Sequence, residues 1–180
     1  SLRFHVGNVD WEACSAFLRA NGMADVTLPT VSYAAGAGAK DLADFIRQAV
    51  ADGIVDAETV RYFQFYSIEG RPGEVSFNCP EIRKLQATDG WDLSRMHIEG
   101  RKAVGKIVDF CRRCIPGFEK CYIVTTGPMV GIRTSRRIVG EYVLTESDVL
   151  SGMKFADAVA TRVETILGAQ LRGEPLDRET

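Results

Sequence analysis

Three arginines and one glutamate lie within residues 131–142, GIRTSRRIVGEY, in a segment that otherwise has the pattern of an apolar strand. An extended backbone would place Arg133, Arg137 and Glu141 on one face and Arg136 on the other. Same-face residues lie about 6–7 Å apart along a strand, so two of these guanidinium groups can converge on one anion. Guanidinium groups hold carboxylate or phosphate oxygens through paired hydrogen bonds. The segment therefore predicts a site for a small anion.

A purely structural explanation of these arginines also fits the sequence. The chain contains 24 Asp and Glu residues, and ion pairs with Glu141 or with other acids would neutralise the guanidinium groups without any ligand. Spacing alone does not distinguish an anion site from a set of such ion pairs. Both interpretations stay open at this point.

The glycine-rich sequence GAGAKD, residues 36–41, has part of the pattern of a phosphate-binding loop. Gly36 and Gly38 have the spacing of a dinucleotide-binding loop, but Asp41 stands where the third glycine belongs. An aspartate at the start of a helix repels a pyrophosphate, and the Lys-Ser/Thr ending of a P-loop is missing. We therefore expect a flexible loop that leads into a helix, and no nucleotide site here.

The cysteines and histidines form no complete metal or nucleophilic motif. Cys111 and Cys114 have the spacing of half a zinc site, but a second pair of ligands is missing. The same spacing fits the core stripe of a helix, where cysteine acts as a small hydrophobic residue, and we predict that role. His97 is expected to face solvent or to form a structural hydrogen bond. His5 and Asn78 lie in predicted strands and would face a ligand only if those strands line a cleft.

The composition is that of a soluble globular protein. The 180 residues are 46% hydrophobic and 26% charged, enough for one domain with its own core. The formal net charge of -2 argues against a general nucleic-acid binder. No apolar run approaches the roughly 20 residues of a membrane span, and the opening SLRFHVGNVD lacks the pattern of a signal peptide. Five cysteines in such a chain predict reduced thiols and a cytoplasmic location.

Hydrophobic periodicity and capping residues predict an α+β fold, with a mixed or mainly antiparallel sheet covered by helices. Strands are predicted at residues 2–9, 27–39 (running into a loop), 59–68, 74–80, 120–126 and 132–144. Helices are predicted between Asp10 and Gly22, at residues 40–52 and 91–114, after a capping box at residues 145–148, and from residue 155 to 171. Pro72-Gly73 predicts a type II turn between the two hairpin strands, and residues 120–126 are apolar enough to be central in the sheet.

Residues 131–160 resemble a segment of a bacterial family of FAD-dependent oxidoreductases. The family pattern runs Gly-x-Arg-x-(Ser/Thr)-Arg-Arg-(Ile/Val)-x-Gly-(Glu/Asp)-Tyr-x-Leu-Thr, followed by an acidic turn. The matching residues are Gly131, Arg133, Ser135, Arg136, Arg137, Ile138, Gly140, Glu141, Tyr142, Leu144 and Thr145. Upstream, residues 88–104 and 116–131 are similar to the preceding helix and strand of that family. Residues 2–12 are similar to the strand and helix that follow its first flavin-binding elements.

The resemblance implies a division of the enzyme between this chain and further polypeptide. Such proteins are similar to glutathione reductase and to the succinate dehydrogenase flavoprotein. They begin with a strand–G-x-G-x-x-G–helix unit that holds the FAD pyrophosphate and end with a second glycine-rich FAD segment, and neither pattern occurs here. Residues 1–160 would be the substrate or cap domain of a two-domain flavoprotein, and residues 161–180 a helix end with a polar tail. FAD would be bound mainly by a missing FAD-binding domain or subunit.

The resemblance also implies a function. The chain would be part of an FAD-dependent oxidoreductase that acts on a small anionic substrate, and it would be inactive alone. Charge and geometry assign Arg133, Arg136 and Arg137 to the surface that faces substrate or flavin, while no catalytic residue and no metal ligand is assigned. A non-catalytic module that binds an anion or an acidic partner surface is the alternative. Neither hypothesis predicts a nucleic-acid partner or a membrane span.

Overall fold

The computed structural model of the chain describes residues 1–23, 26, 30–32, 37–38, 40–133, 135–136, 138–156 and 158. Contacts divide the chain into two units, Ser1–Arg136 and Arg137–Thr180. Within the described ranges, no helix combines the length and the apolar character needed to cross a membrane.

The first unit is an α+β structure built on an antiparallel sheet. Its elements are β1 (Phe4–Gly7), α1 (Trp11–Ala20), β2 (Thr30–Ser32), β3 (Ala37–Gly38), α2 (Lys40–Ala51), β4 (Tyr62–Ser67), β5 (Val75–Phe77), α3 (Gly90–Cys114) and β6 (Tyr122–Thr126). The strand order is β3-β2-β4-β5-β1-β6, and each neighbouring pair is antiparallel. The predicted α+β class with an antiparallel sheet is therefore confirmed.

Aspartates cap the N-termini of α1 and α3. The sequence predicts the first of these caps, Asp10. The Ala13 amide donates to Asp10 Oδ1 at 3.0 Å, which satisfies an amide that has no partner inside α1. Gly22 follows the end of that helix with a φ of 79°, a conformation that glycine adopts without steric cost. Asp89 caps α3 in the same way by accepting hydrogen bonds from the Trp91 and Asp92 amides at 2.8 and 2.9 Å.

The hairpin predicted at residues 59–80 is present as β4 and β5. The Glu74 amide donates to the Arg71 carbonyl at 3.1 Å across Pro72-Gly73. Gly73 has a φ of 77°, which the third position of a type II turn requires. The turn holds Phe65 opposite Phe77 in the ladder, so local turn chemistry sets the register of the hairpin.

A cluster of phenylalanines covers one face of the sheet. The rings of Phe4 and Phe77 stack with centroids 4.5 Å apart, and Phe65 and Phe77 stack at 5.3 Å. Phe63 contacts Phe110 of α3 edge-on at 5.8 Å, which joins the sheet to the long helix. All five rings are at most 1% exposed. Because side chains alternate along a strand, this packing leaves the residues in between on the opposite face.

Two predictions about the strands were wrong. Within residues 120–126, β6 lies at the edge of the described sheet and not at its centre, and Tyr122 is 55% exposed and Ile123 43% exposed. Residues 132–144 form no strand where the structure describes them. Ile138 and Val139 there are 95% and 94% exposed. Apolar and β-branched residues favour strands only where their side chains pack against a sheet, and the described ring contact of this segment, between Tyr142 and Phe155, is not part of one.

The second unit contains the predicted capping box and the short helix α4 (Glu146–Ser151). The Thr145 amide donates to Asp148 Oδ2 at 2.8 Å, and the Asp148 amide donates to Thr145 Oγ1 at 3.2 Å. Tyr142 also donates its hydroxyl to Asp148 Oδ2 at 2.7 Å. These hydrogen bonds, those from Thr145 above all, lower the pKa of Asp148. A last helix was predicted at residues 155–171. Residues 155, 156 and 158 of that segment are not helical, and its other residues lie outside the described part of the chain.

Replacing Phe77 by alanine will lower the free energy of unfolding of the chain by about 3–5 kcal/mol, because the ring stacks on two others in a fully buried cluster. Trp91→Ala is the control, since Trp91 is 83% exposed and exposed substitutions change stability by about 0.5 kcal/mol or less. Urea unfolding of the three proteins measures the difference. Equal losses in the two variants would contradict the position assigned to the phenylalanine cluster.

Candidate functional site

The structure describes two of the three arginines that were predicted to face substrate or flavin. Arg133 and Arg136 are exposed and lie in irregular backbone, while Arg137 lies outside the described residues. Neither Arg133 nor Arg136 forms an ion pair with any residue that the structure describes. The alternation that an extended strand would impose on them is absent, so their convergence on one anion stays a prediction.

Backbone hydrogen bonds join the segment before Arg133 to the start of β1. The Gly131 amide donates to the Ser1 carbonyl at 2.8 Å, and the Ser1 amino group donates to the Gly131 carbonyl at 3.0 Å. Burial lowers the pKa of that amino group, Glu81 opposes the shift, and the charge of Arg133 adds to it. Arg133 therefore lies near the start of β1, which Arg3 directly precedes.

The face of the sheet opposite the phenylalanines carries polar side chains, and we call it the open face. One row of it crosses four strands, because His5 is paired with Ser76 on one side and with Thr125 on the other, and Ser76 is paired with Tyr66. Thr125 is exposed, and His5 and Tyr66 are half-buried. The row brings together groups from β1, β4, β5 and β6 that are far apart in sequence.

Hydrogen bonds order the neighbouring part of the open face. Asn78 Nδ2 donates to Gln64 Oε1 at 2.7 Å across β4 and the end of β5. Arg3 Nη1 donates to the Tyr66 hydroxyl at 3.0 Å and so joins β1 to β4 above the intervening strand. Burial raises the pKa of Tyr62 at the same end of the sheet, and Cys79 and Glu81 raise it further against smaller opposing effects of Asn78 and Arg3. The Tyr62 hydroxyl therefore keeps its proton to a higher pH than a solvated tyrosine.

The open face has the chemical groups of a binding site for a small polar ligand. It offers one guanidinium group, one imidazole and several hydroxyl and amide groups, and imidazole is the commonest proton-transfer group in enzymes. His5 and Asn78 were predicted to face a ligand only if their strands line a cleft. Arg3, Gln64 and Tyr66 were missed, although the alternation in LRFHV and YFQFYS places each of them opposite the buried phenylalanines.

A groove elsewhere on the first unit is lined by side chains that form ion pairs with one another. Its volume is about 380 Å³, and it lies between α3 and the segments around residues 56–59 and 81–85. Lys106 Nζ lies 2.8 Å from Asp56 Oδ2, and Lys102 Nζ lies 2.9 Å from Glu99 Oε1. Hydrogen bonds from Lys106 and Thr59 outweigh burial and lower the pKa of Asp56. These charges compensate one another, so the groove is a weaker candidate than the open face.

The cysteines and His97 have the structural roles that the sequence predicted. Cys111 is buried in the core and Cys114 is half-buried on the same side of α3. All five cysteines belong to the described part of the chain, and none is in a disulfide. His97 is half-buried, and its Nδ1 lies 3.2 Å from Arg101 Nη1. Among the described residues, no group of three or more His, Cys, Asp or Glu side chains could hold a metal ion.

Comparison with known proteins identifies the family. A family model described as FAD dependent oxidoreductase matches residues 1–163 of the 180. The chain belongs to the family of FAD-dependent oxidoreductases. Use of FAD and oxidoreductase chemistry follow from that membership. No curated protein and no solved structure matches the chain.

The described residues of this family member do not fit the pyrophosphate of FAD. The sequence contains no G-x-G-x-x-G, and all strand pairs that the structure describes are antiparallel, whereas the dinucleotide cradle is built on a parallel β-α-β unit. The N-termini of α1 and α3 are occupied by the carboxylates of Asp10 and Asp89. A pyrophosphate there would meet negative charge. Gly36, in the glycine-rich loop, lies outside the described residues, and Ala37–Gly38 form β3.

The stability of the chain will fall as the pH rises above 9.0, because burial raises the pKa of the Cys14 and Cys79 thiols from 9.0 to about 12. Above pH 9.0 the unfolded chain releases these two protons, whereas the folded chain keeps them. The stabilising contribution of the two thiols is therefore fully present below pH 9.0 and is lost as the pH rises towards 12. Urea unfolding at pH values on both sides of 9.0 measures the decline. Cys79→Ala will reduce the decline more than Cys114→Ala does, and an unchanged decline in Cys79→Ala would refute this origin.

Proposed function

We propose that this chain is the substrate-side domain or subunit of an FAD-dependent oxidoreductase that acts on a small anionic substrate. The observation that carries the proposal is a family match over residues 1–163 in a sequence without the G-x-G-x-x-G motif. The aspartates at the N-termini of α1 and α3 support it, because they make those ends unsuited to a pyrophosphate. The chain contributes the surface that orients the substrate, and FAD supplies the electron transfer when it is bound.

The cradle for FAD belongs to a partner in this proposal. A domain or subunit with a strand–G-x-G-x-x-G–helix unit holds the cofactor, and the chain alone is inactive. Five cysteines without a disulfide support a reducing compartment, which we take to be the cytoplasm. Arg133, Arg136 and Arg137 lie on the surface that faces substrate or flavin. The exposure of Arg133 and Arg136 and their lack of a described ion-pair partner support this role.

Flavin retention will distinguish the chain alone from the chain with its partner. Purified alone, it will be colourless and will release added FAD on dialysis. Co-expressed or joined with the adjoining coding sequence that carries G-x-G-x-x-G, it will be yellow and keep the flavin absorbance bands. Tight binding of FAD by the chain alone would show that the cradle lies within it. A stable but colourless complex would favour the alternative of a non-catalytic binding module.

Arg133→Ala and Arg137→Ala will lower the midpoint potential of the flavin in the reconstituted protein, because a nearby positive charge favours the anionic reduced form. Redox titration against reference dyes measures the potential. Arg19→Ala is the control, since Arg19 lies in the last turn of α1 and is exposed. Potentials that do not differ among all these proteins would remove the two arginines from the flavin-facing surface.

A further inference from the structure

We propose that the open face binds the carboxylate group of the substrate through Arg3, with the body of the substrate lying over His5. This inference rests on the proposed function and adds the chemical class of the ligand and two residues that contact it. The occupant is a small carboxylate that carries a second polar group able to reach the His5 imidazole.

Arg3 is a cation without a carboxylate partner in the part of the chain that the structure describes. Most surface arginines that form ion pairs here do so within their own helix or turn, such as Arg95 with Asp92 at 3.3 Å. Arg3 has no ion pair with any residue in the described ranges. Glu81, the acid that acts on the adjacent Tyr62, lies 3.9 Å from the guanidinium of Arg61. The positive charge on the open face is therefore available to an external anion.

Tyr66 holds the guanidinium group in position. Its hydroxyl accepts a hydrogen bond from Arg3 Nη1 at 3.0 Å, and it is half-buried on β4. The other N–H groups of Arg3 have no acceptor among the described residues. An arginine fixed by one nitrogen presents the rest of its planar fork to a carboxylate, where two parallel hydrogen bonds form. Fixing the side chain beforehand also reduces the entropy that ligand binding removes.

His5 lies at the next position of β1 on the same face. Its neighbours across the ladder are Ser76, which is 2% exposed, and Thr125. Both side chains are short, and His5 itself is half-buried. A ligand anchored at Arg3 and extended along β1 therefore places its second polar group against the imidazole, which donates or accepts a proton.

An aromatic ring lies at the end of this strip of β1. Gly7 follows His5 on the same face, and a Cβ there would lie 3.1 Å from Tyr122 Cζ and 3.0 Å from Val124 Cγ2. The Tyr122 ring can lie over β1 only because position 7 has no side chain. It provides an apolar surface beyond His5, as small-molecule sites commonly combine apolar walls with a few polar groups.

The charge of the site favours a carboxylate over a phosphate. Phosphate groups are commonly bound at helix N-termini, and Asp10 and Asp89 occupy those ends of α1 and α3. The described open face offers one guanidinium group, which matches the single charge of a carboxylate.

NMR titration of the isotope-labelled 180-residue chain with sodium lactate tests the proposal. Sodium chloride keeps the ionic strength constant, and the Arg3 Nε–Hε and His5 ring signals are followed. We expect saturable shifts of both signals with a Kd of about 1 mM. Arg3→Gln will weaken binding at least about tenfold, Arg3→Lys will restore part of it, and the matched control Arg19→Gln will leave it unchanged.

Other outcomes of the titration overturn the proposal. Shifts that sodium chloride reproduces, or that Arg19→Gln reduces as much as Arg3→Gln does, would show a general salt effect. Tighter binding of inorganic phosphate than of lactate would refute the carboxylate assignment. The titration needs no flavin, so a failure here overturns the Arg3 site and leaves the proposed function to the flavin experiment. Failure of flavin retention, in turn, would leave a measured carboxylate site in place.

Discussion

The stacking of phenylalanine rings on one face of an antiparallel sheet is the interaction on which the rest of the first unit depends. Phe4, Phe65 and Phe77 come from three adjacent strands, and their rings contact one another directly. Burying one such side chain contributes about 1.5–3 kcal/mol, so the three strands are held in one register by several favourable contacts. A slip by one residue would turn every ring towards the open face, which makes the register specific.

That register also determines what the open face contains. Arg3 and His5 alternate with Leu2, Phe4 and Val6, so the contacts that bury the apolar residues place both polar side chains on the other side. Pairing of β1 with β5 and β6 then brings Ser76 and Thr125 beside His5. The core and the candidate site consequently lie on opposite faces of the same paired strands. A change in the register of those strands will disturb both.

The distribution of charge is unfavourable for a pyrophosphate at two helix ends and leaves positive charge near β1. Aspartates satisfy the free amides at the N-termini of α1 and α3, which stabilises the helices and makes both ends unsuited to a pyrophosphate. Among the described residues near β1, Arg3 and Arg133 form no ion pair, and the charge of Arg133 lowers the pKa of the Ser1 amino group before that strand. Of these two arginines, the hydrogen bond to Tyr66 holds Arg3 at the open face, where the proposed carboxylate site lies.

Local features of the sequence were sufficient for the helices and the hairpin. Asp10 and Gly22 bound α1, Pro72-Gly73 joins β4 to β5, and the three-to-four spacing of apolar residues gives α3, because caps, turns and amphipathic faces depend on residues close together in the chain. The arginine-rich segment identified the family without any structure.

Only the tertiary structure decided which strands are neighbours. The apolar sequence of residues 120–126 is compatible with a central or an edge position, and β6 is an edge strand because β1 is its one partner among the described strands. Residues 132–144 have strand-forming side chains, but Ile138 and Val139 are exposed and no described strand pairs with the segment, so strand propensity alone does not decide its structure. The open face combines residues from four strands spread over more than half of the chain. Its composition depends on long-range register, which no local pattern in a single sequence specifies.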